Sequence, residues 1–248
     1  GRIVRHLKGP TDQGLHRVAW DLRYPAPDPV DLDPDSQRSP WARPPQGPLA
    51  TPGEYRVSLA LRRDGRLQET GQTQSFRVKP LKTSELVAED PAEVLAFQQR
   101  IADLYRAVAG ANGMVDELQS RIDHLMAALD QTPAATAEHG KRLRALRTRL
   151  LDLQVMLTGD RTRSKRAEPA PLPIRSRVAY LLDGYWSSRA SVPGEYSESL
   201  AVAERQFEDA RKALEDLLSD LAALERELES LGAPWTPGRM PQWESTSG

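Results

Sequence analysis

The sequence predicts an α+β protein built as two domains: a β-sandwich over residues 1–82, then a long antiparallel three-column helical coiled-coil bundle over residues 83–232. Three observations carry this prediction. Apolar and polar residues alternate in short segments of the first third, prolines cluster between those segments, and heptad spacing replaces the alternation from residue 91 onward. Residues 233–248 show neither period, so we expect an irregular tail there.

The β-sandwich is predicted from alternating segments with turn signals between them. Asp64-Gly65 is a hairpin turn signal because both residues tolerate positive φ. Nine of the 20 prolines lie between Pro25 and Pro52, which predicts a long extended loop at 25–52 and excludes a central strand. The pattern therefore indicates a small sandwich of immunoglobulin or fibronectin type, with strand signals at residues 2–7, 15–22, 55–59 and 75–78.

The helical half is predicted from apolar residues at a mean spacing of about 3.5, which keeps one stripe against partner helices in a left-handed supercoil. Asp90-Pro91 suits the start of the first helix, and Gly232 followed by Pro234 suits the end of the last. The expected helices are at about residues 91–130, 133–158, 174–186 and 195–231. The predicted core consists of their apolar rungs: Val94, Phe97, Ile101, Leu104, Val108, Ala111, Val115, Leu118, Ile122, Leu125 and Leu129; Leu143, Leu146, Leu150, Leu153 and Leu157; Ile174, Val178, Leu181 and Tyr185; Leu200, Ala203, Phe207, Ala210, Leu214, Leu217, Leu221, Leu224, Leu228 and Leu231.

Two details of the bundle are predicted from lengths and glycines. The second helix is shorter than its neighbours by roughly 12 residues, or ~18 Å. The apolar spacing of residues 174–185 continues over a similar length, so we expect that short helix to complete the column of the second helix. Gly110 and Gly113 predict a bend or a close helix contact in the first helix.

The charges of the helices are complementary. Residues 139–158 carry a net charge of +4, from five basic residues and one acidic residue. Residues 195–231 carry −7, from eleven acidic residues and four basic ones. Because opposite charges beside a coiled-coil seam set partner and orientation, the basic run is explained by pairing between these helices without nucleic acid.

Composition excludes several classes of protein. The chain has 248 residues, of which 39% are hydrophobic and 28% charged, as in folded proteins. Its net charge of −1 gives no general attraction to nucleic acid or anionic lipid, and it has no cysteine for disulfide or thiolate chemistry. No stretch approaches the ~20 apolar residues of a membrane span. The sequence begins at Gly1 without a signal-peptide pattern, and we expect it to be a fragment or a processed product.

Residues 14–24 (GLHRVAWDLRY) and 47–59 (GPLATPGEYRVSL) together carry a family resemblance. They resemble the C-terminal region of bacterial sortilin-like, VPS10-type β-propeller proteins, often labelled BNR-repeat or glycosyl-hydrolase proteins. The pattern is also similar to the immunoglobulin-like module of flagellar hook-capping proteins. The resemblance implies a sandwich with Trp20 and Tyr55 in its core, a following helical segment, an upstream propeller that this sequence lacks, and export to the periplasm or the cell exterior.

One weak metal site is suggested by the sequence. Asp31, Asp33 and Asp35 alternate as at the start of a calcium-binding EF-hand loop. The loop positions that require Gly and Glu hold Ser36 and Ala42 instead, so a solvated acidic loop is the competing interpretation. The four histidines lack metal-ligand spacing, and there is no Gly-rich phosphate loop or GxSxG motif. We therefore expect no catalytic residues and no cofactor.

Aromatic residues are the better candidates for contacts with a ligand or partner, because tryptophans in loops form carbohydrate platforms and protein hot spots. The competing interpretation is that they cap the bundle ends and the domain junction. The candidates are Trp41, Tyr185, Trp186, Trp235 and Trp243.

These observations predict a non-catalytic accessory or scaffolding region of a larger β-propeller protein, which orients domains and binds other proteins. One alternative is a carbohydrate-binding module of an exported glycoside hydrolase, with Trp41, Trp186 or Trp235 stacking on sugar rings. The other is a self-association module that uses the apolar faces of the two long helices. We expect the propeller domain as partner, no nucleic acid, no membrane span, and a monomer with a homodimer as the alternative.

Overall fold

The computed structural model describes residues 2–30, 45–81, 88–240 and 243. Helices make up 53% of this part of the chain, and its only sheet has two strands. The elements are β1 (Gly53–Arg63), β2 (Arg66–Val78), α1 (Pro91–Asp130), α2 (Ala137–Thr158), α3 (Arg161–Lys165), α4 (Ile174–Tyr185) and α5 (Gly194–Ser230).

The chain divides into two compact units. The first, which we call the hairpin unit, consists of Gly1–Pro27, Asp33–Ala102 and Leu182–Ser197. The second, the helical unit, consists of Asp28–Leu32, Asp103–Leu181 and Glu198–Gly248. The domain boundary expected between residues 82 and 83 falls outside the described residues, and it stays a prediction.

The predicted β-sandwich is wrong. The described residues hold a single antiparallel hairpin, and the expected strands at residues 2–7 and 15–22 are absent from them. Near the second of these segments the backbone makes only one isolated bridge, between Arg23 and Leu49. Alternation favours an extended backbone, but a strand also needs a partner with free backbone groups. The proline-rich stretch supplies few of these because proline has no N–H to donate.

The hairpin itself follows from its turn. Asp64 and Gly65 have φ values of 51° and 77°, as the predicted turn requires. From this turn the strands pair back to Gly53 opposite Val78, with one irregularity near Ser58.

The long helices begin and end at the capping signals in the sequence. Asp90 accepts a hydrogen bond on Oδ1 from the backbone N–H of Ala92 at 2.8 Å, which caps α1. After α5, Gly232 has a φ of 81°, and the N–H of Ala233 bonds the carbonyl of Leu228 at 3.0 Å. This closing bond is the helix-ending arrangement that glycine favours.

The second helix starts later than expected. The sequence places its start near residue 133 with Thr132 as cap, but the Thr132 hydroxyl donates to the carbonyl of Ala128 at 2.7 Å and so belongs to the end of α1. Thr136 is the residue that precedes α2. Its backbone N–H donates to Nδ1 of His139 at 2.9 Å, so a side chain from within the helix satisfies the first free donor.

The heptad rungs form the core. All of the predicted rungs have an exposed fraction of 8% or less, except for three that are half-buried: Leu129, Phe207 and Leu231. A core of this composition stabilises the helices through burial of apolar area, at about 25 cal/mol per Å².

Neighbouring helices run antiparallel in the helical unit. Arg147 of α2 reaches the sulfur of Met126 in α1 at 3.9 Å, and Gly140 lies beside Leu129. Later residues of α2 therefore meet earlier residues of α1. Arg175 and Val178 of the short helix α4 line one cavity together with residues from the middle of α1. That α4 completes the column of α2 stays a prediction.

The glycines of α1 do not mark a close helix contact. A Cβ atom added at Gly110 or Gly113 would meet no atom within 4 Å. The expectation of close packing there is therefore wrong, and α1 continues through both glycines from Pro91 to Asp130.

Candidate functional site

The hairpin carries an apolar face that is exposed beyond its base, where Trp20 packs against it. Tyr55 and Phe76 are paired opposite each other, so their side chains share a face, and the alternation of β1 adds three aliphatic residues to it. We call these five residues the apolar hairpin face. Four of them are well exposed, at 54% for Val57, 63% for Leu59, 43% for Leu61 and 40% for Phe76.

The opposite face and the outer edges of the hairpin differ from this face. Glu54, Arg56, Ser58 and Arg62 alternate with the apolar residues along β1, so the hairpin is amphipathic, although Ala60 and the exposed Leu67, which pairs with Arg62, also lie on this second face. Within the described residues, neither outer edge pairs with another strand. The hairpin thus has the side-chain alternation of a sheet layer that packs on one face.

Only β2 has an interrupted outer edge. Ser58 pairs with Thr73 and Ala60 pairs with Glu69, so three residues of β2 lie opposite Leu59 alone. The Thr70 hydroxyl bonds the carbonyl of Leu59 at 3.0 Å within this bulge. Bulges protect sheet edges from further pairing, whereas β1 keeps a regular backbone on its outer side.

An aromatic cluster holds the base of the hairpin. The rings of Trp20 and Tyr55 have centroids 5.3 Å apart in an edge-to-face arrangement, and Phe76 lies 6.1 Å from Trp20. The Tyr55 hydroxyl donates to the backbone carbonyl of Thr51 at 2.7 Å. The indole N–H of Trp20 donates to the backbone carbonyl of Arg23 at 2.9 Å. Trp20 and Tyr55 therefore anchor the hairpin to its flanking chain, although the described residues form no sandwich core around them.

Tyr185 and Trp186 are buried. The Trp186 indole N–H donates to the carbonyl of Gln46 at 2.5 Å, and the Tyr185 hydroxyl donates to the carbonyl of Ala190. Burial raises the pKa of the Tyr185 phenol, which keeps it protonated as a donor. Nearby, the amide of buried Gln98 donates to the carbonyl of Tyr185 at 2.9 Å. These rings are part of the packing and present no open face for a sugar.

Of the other candidate ligand-contact residues, two are exposed and the rest lie outside the described residues. Trp235 and Trp243 are exposed, although the indole N–H of Trp235 already donates to the carbonyl of Arg239 at 3.0 Å. The remaining candidates lie outside the described residues: Trp41 and the weak calcium ligands Asp31, Asp33 and Asp35.

The predicted charge pairing between α2 and α5 is confirmed. Arg142 bonds Glu227 at 2.6 Å, and Arg149 bonds Asp220 at 2.5 Å, so the two helices run antiparallel. His139 contacts the same Glu227 at 3.0 Å. The pKa of the Glu227 carboxyl lies below its ordinary value, mainly because Arg142 and then His139 bond its charged form.

A buried ion pair joins α1 to α5. Arg121 bonds both carboxylate oxygens of Glu225, at 3.1 and 2.7 Å, and Glu225 is only 3% exposed. Arg239 donates to the Glu225 carbonyl at 3.1 Å and to the carboxylate of Glu229 at the same distance. The bidentate geometry fixes the position of both side chains.

A cavity of about 300 Å³ lies in the helical unit between α1 and α4. Val108, Ala109 and Val178 form its apolar part. Its polar part comes from both helices: Tyr105, Asn112, Asp116 and Arg175. Pro29 of the segment before residue 31 also lines it. The hydroxyl of Tyr105 donates to Asp28 at 3.3 Å.

Neither metal-ion clusters nor membrane helices are found in the described chain. No group of three or more His, Asp or Glu residues in its described ranges is placed to hold a metal ion. No helix there is long and apolar enough to cross a bilayer. The chain has no significant match among protein-family models, curated proteins or solved structures.

The two principal surface features could not be located from the sequence. Alternation indicated the apolar hairpin face, but a buried sandwich layer has the same alternation. The cavity residues Asp116 and Arg175 gave no sequence signal, because charged residues on a helix are usually solvated. The glycine at 113 was the one available indication, since it removes a side chain beside Asn112.

Proposed function

We propose that this chain is a non-catalytic accessory region that positions a neighbouring β-rich domain of the same protein by docking it on the apolar hairpin face. The resemblance to sortilin-like proteins suggests a β-propeller as that domain. The single observation that carries the proposal is the exposure of Val57, Leu59, Leu61 and Phe76 on one side of the hairpin, against Leu67 alone among the large apolar residues of the other side.

The energetics of the hairpin support a partner. A two-stranded hairpin is at best marginally stable in water, and three or more strands or a packed face are needed for independent stability. Covering an exposed aliphatic or aromatic side chain of this size contributes on the order of 1 kcal/mol. Four such side chains therefore give a docked state a clear advantage over the uncovered hairpin.

The edge geometry supports a partner made of strands. The regular outer side of β1, Gly53–Arg63, offers unpaired backbone donors and acceptors to an added strand. The bulge opposite Leu59 interrupts the same possibility on β2. A β-rich domain satisfies both requirements because it can supply a strand for the edge and apolar side chains for the face.

The long helices support a scaffolding role. α1 has 40 residues and α5 has 37, which correspond to lengths of ~60 and ~55 Å. Almost all of their heptad rungs are buried, so the apolar faces of these helices are already packed within the chain. Long helices packed in this way form a stiff element of fixed length.

Site-specific photo-crosslinking tests the proposal in the intact natural protein. A benzophenone amino acid replaces Val57 on the apolar hairpin face, and a matched control replaces Ser58, its neighbour on the polar face. We expect crosslinks from position 57 to a β-rich domain of the same polypeptide, identified by peptide mass spectrometry, and few from position 58.

Two results would contradict the proposal. Crosslinks from position 57 only to residues 53–78 of a second copy would instead establish self-association through the hairpin. Equal yields from positions 57 and 58 would show that the apolar hairpin face has no preferred partner.

A further inference from the structure

We propose that the cavity between α1 and α4 binds a small zwitterion, an α-amino acid with an aliphatic side chain. Its volume of about 300 Å³ is at the small end of ligand cavities. All of its lining residues belong to the helical unit, and the site is independent of the hairpin.

The sequence of α1 creates the space for this cavity. The part of α1 that lines the cavity has small side chains or none, at Ala109, Asn112 and Gly113. A Cβ atom at Gly113 would meet nothing within 4 Å, so the helix surface is open there. Buried Val108 and Val178 form the apolar floor, which suits an aliphatic group.

Two opposite charges line this floor. Asp116 belongs to α1 and Arg175 to α4, and within the described residues neither side chain has a hydrogen-bond or ion-pair partner. Elsewhere in the helical unit, arginines such as Arg121, Arg142 and Arg149 are paired with carboxylates. Both side chains are solvent-exposed and neither has a protein partner to displace, so the carboxylate and the guanidinium are available to a ligand.

A zwitterion fits this arrangement better than a neutral polyol. Its ammonium group can donate to Asp116 while its carboxylate accepts from Arg175, so both charges of the protein gain a charged partner. Charge-assisted hydrogen bonds are about twice as strong as neutral ones. A sugar would hydrogen-bond the same exposed side chains but would bring no opposite charge to either of them.

Binding of leucine to the 248-residue chain tests the proposal. Chemical-shift changes in a ¹H–¹⁵N spectrum are followed as leucine is added, and we expect saturation with a dissociation constant on the order of 1 mM. The comparison probes are 4-methylpentanoate, which lacks the ammonium group, 3-methylbutylamine, which lacks the carboxylate, and glucose. We expect each of them to bind at least about tenfold more weakly than leucine.

Substitutions locate the site. Gly113→Leu fills the cavity and should abolish the shifts caused by leucine, whereas Gly110→Leu is the matched control because Gly110 also has open space but does not line the cavity. Both changes raise helix propensity, so loss of binding in the first cannot come from a weakened helix. Asp116→Asn and Arg175→Gln should each weaken leucine binding by about tenfold.

The outcomes separate this site from the hairpin proposal, which crosslinking at position 57 tests. The amino-acid proposal is overturned if leucine produces no saturable shifts at 20-fold above the expected ~1 mM constant. Equal binding of 4-methylpentanoate would show that Asp116 has no part in recognition. Preferential binding of glucose would replace the zwitterion with a neutral ligand.

Discussion

The hairpin and the heptad ladder of this protein are both amphipathic, but only the ladder is covered. The exposed members of the apolar hairpin face retain 40–63% of their accessible surface, whereas almost every heptad rung retains 8% or less. The helices find their partners within the described chain, as the ion pairs between α2 and α5 show. An apolar pattern therefore predicts that a face will be buried, and the location of its partner is a separate question.

The largest expected effect contrasts the two faces directly. Ile122→Ala removes a fully buried rung and should lower the free energy of unfolding by about 4 kcal/mol, because it leaves a cavity in the core. Leu59→Ala, on the exposed hairpin face, should change it by no more than ~0.5 kcal/mol. Urea unfolding followed by circular dichroism measures both. A loss at Leu59 as large as that at Ile122 would mean that the hairpin face is covered within this chain.

The next effect concerns the buried ion pair. Arg121→Ala should cost about 3 kcal/mol, because it leaves the carboxylate of Glu225 buried without its partner. The double variant Arg121→Met with Glu225→Leu should recover most of that loss, since it removes both charges. Thermal and urea unfolding of the two variants compare these states. If the double variant is as unstable as Arg121→Ala, the cost comes from lost packing and not from the unpaired charge.

A smaller gain is expected in the middle of α1. Gly110→Ala should raise the free energy of unfolding by roughly 0.5–1 kcal/mol, because alanine loses less backbone entropy on helix formation and a Cβ there meets no atom within 4 Å. Gly184→Ala serves as the opposite control. A Cβ there would lie 2.4 Å from the hydroxyl oxygen of Tyr196, so this change should destabilise the protein. Destabilisation by Gly110→Ala would show that α1 is bent or packed at that glycine.

The smallest effect depends on pH. Arg142 and His139 hold the pKa of the Glu227 carboxyl below its ordinary value of 4.5, so the bonded carboxylate stabilises the folded state. This contribution is fully present above pH 4.5, the ordinary pKa of the carboxyl, and is lost as the pH falls through the lower pKa that Glu227 has in the folded state. A ¹³C carboxyl titration should show the low pKa, and Arg142→Gln should raise it. A value at or above 4.5 in the unaltered protein would exclude the contribution.

Heptad spacing located the long helices because their partners are other helices with the same period. The expected first helix has the bounds of α1, Pro91–Asp130, and the expected last one differs from α5 by a single residue at each end. The start of α2 was misplaced because Thr132 and Thr136 have equal capping propensity. Only the structure shows that the Thr132 hydroxyl bonds back to Ala128.

The β-rich part and the sites were harder to predict for a physical reason. Alternation in residues 15–22 describes a backbone that is ready to pair, but pairing depends on distant residues that the pattern does not identify. The aromatic residues Tyr185 and Trp186 were candidates for ligand contacts because they lie at the end of the expected helix 174–186, although the heptad spacing also made Tyr185 a core rung. Burial of these rings by Gln46, Gln98 and the 188–190 turn depends on tertiary packing that one sequence does not show.

The Arg121–Glu225 pair also bears on how the helices find their alignment during folding. Leucines recur every seven residues along α5, at Leu214, Leu221 and Leu228, so a slip of one heptad, about 10.5 Å, would still bury leucine against α1. Such a slip would place Leu218 or Gly232 where Glu225 now meets Arg121, and the guanidinium would be left without an anion. Together with the ion pairs between α2 and α5, this buried pair separates the native alignment from misaligned states that the apolar rungs cannot distinguish.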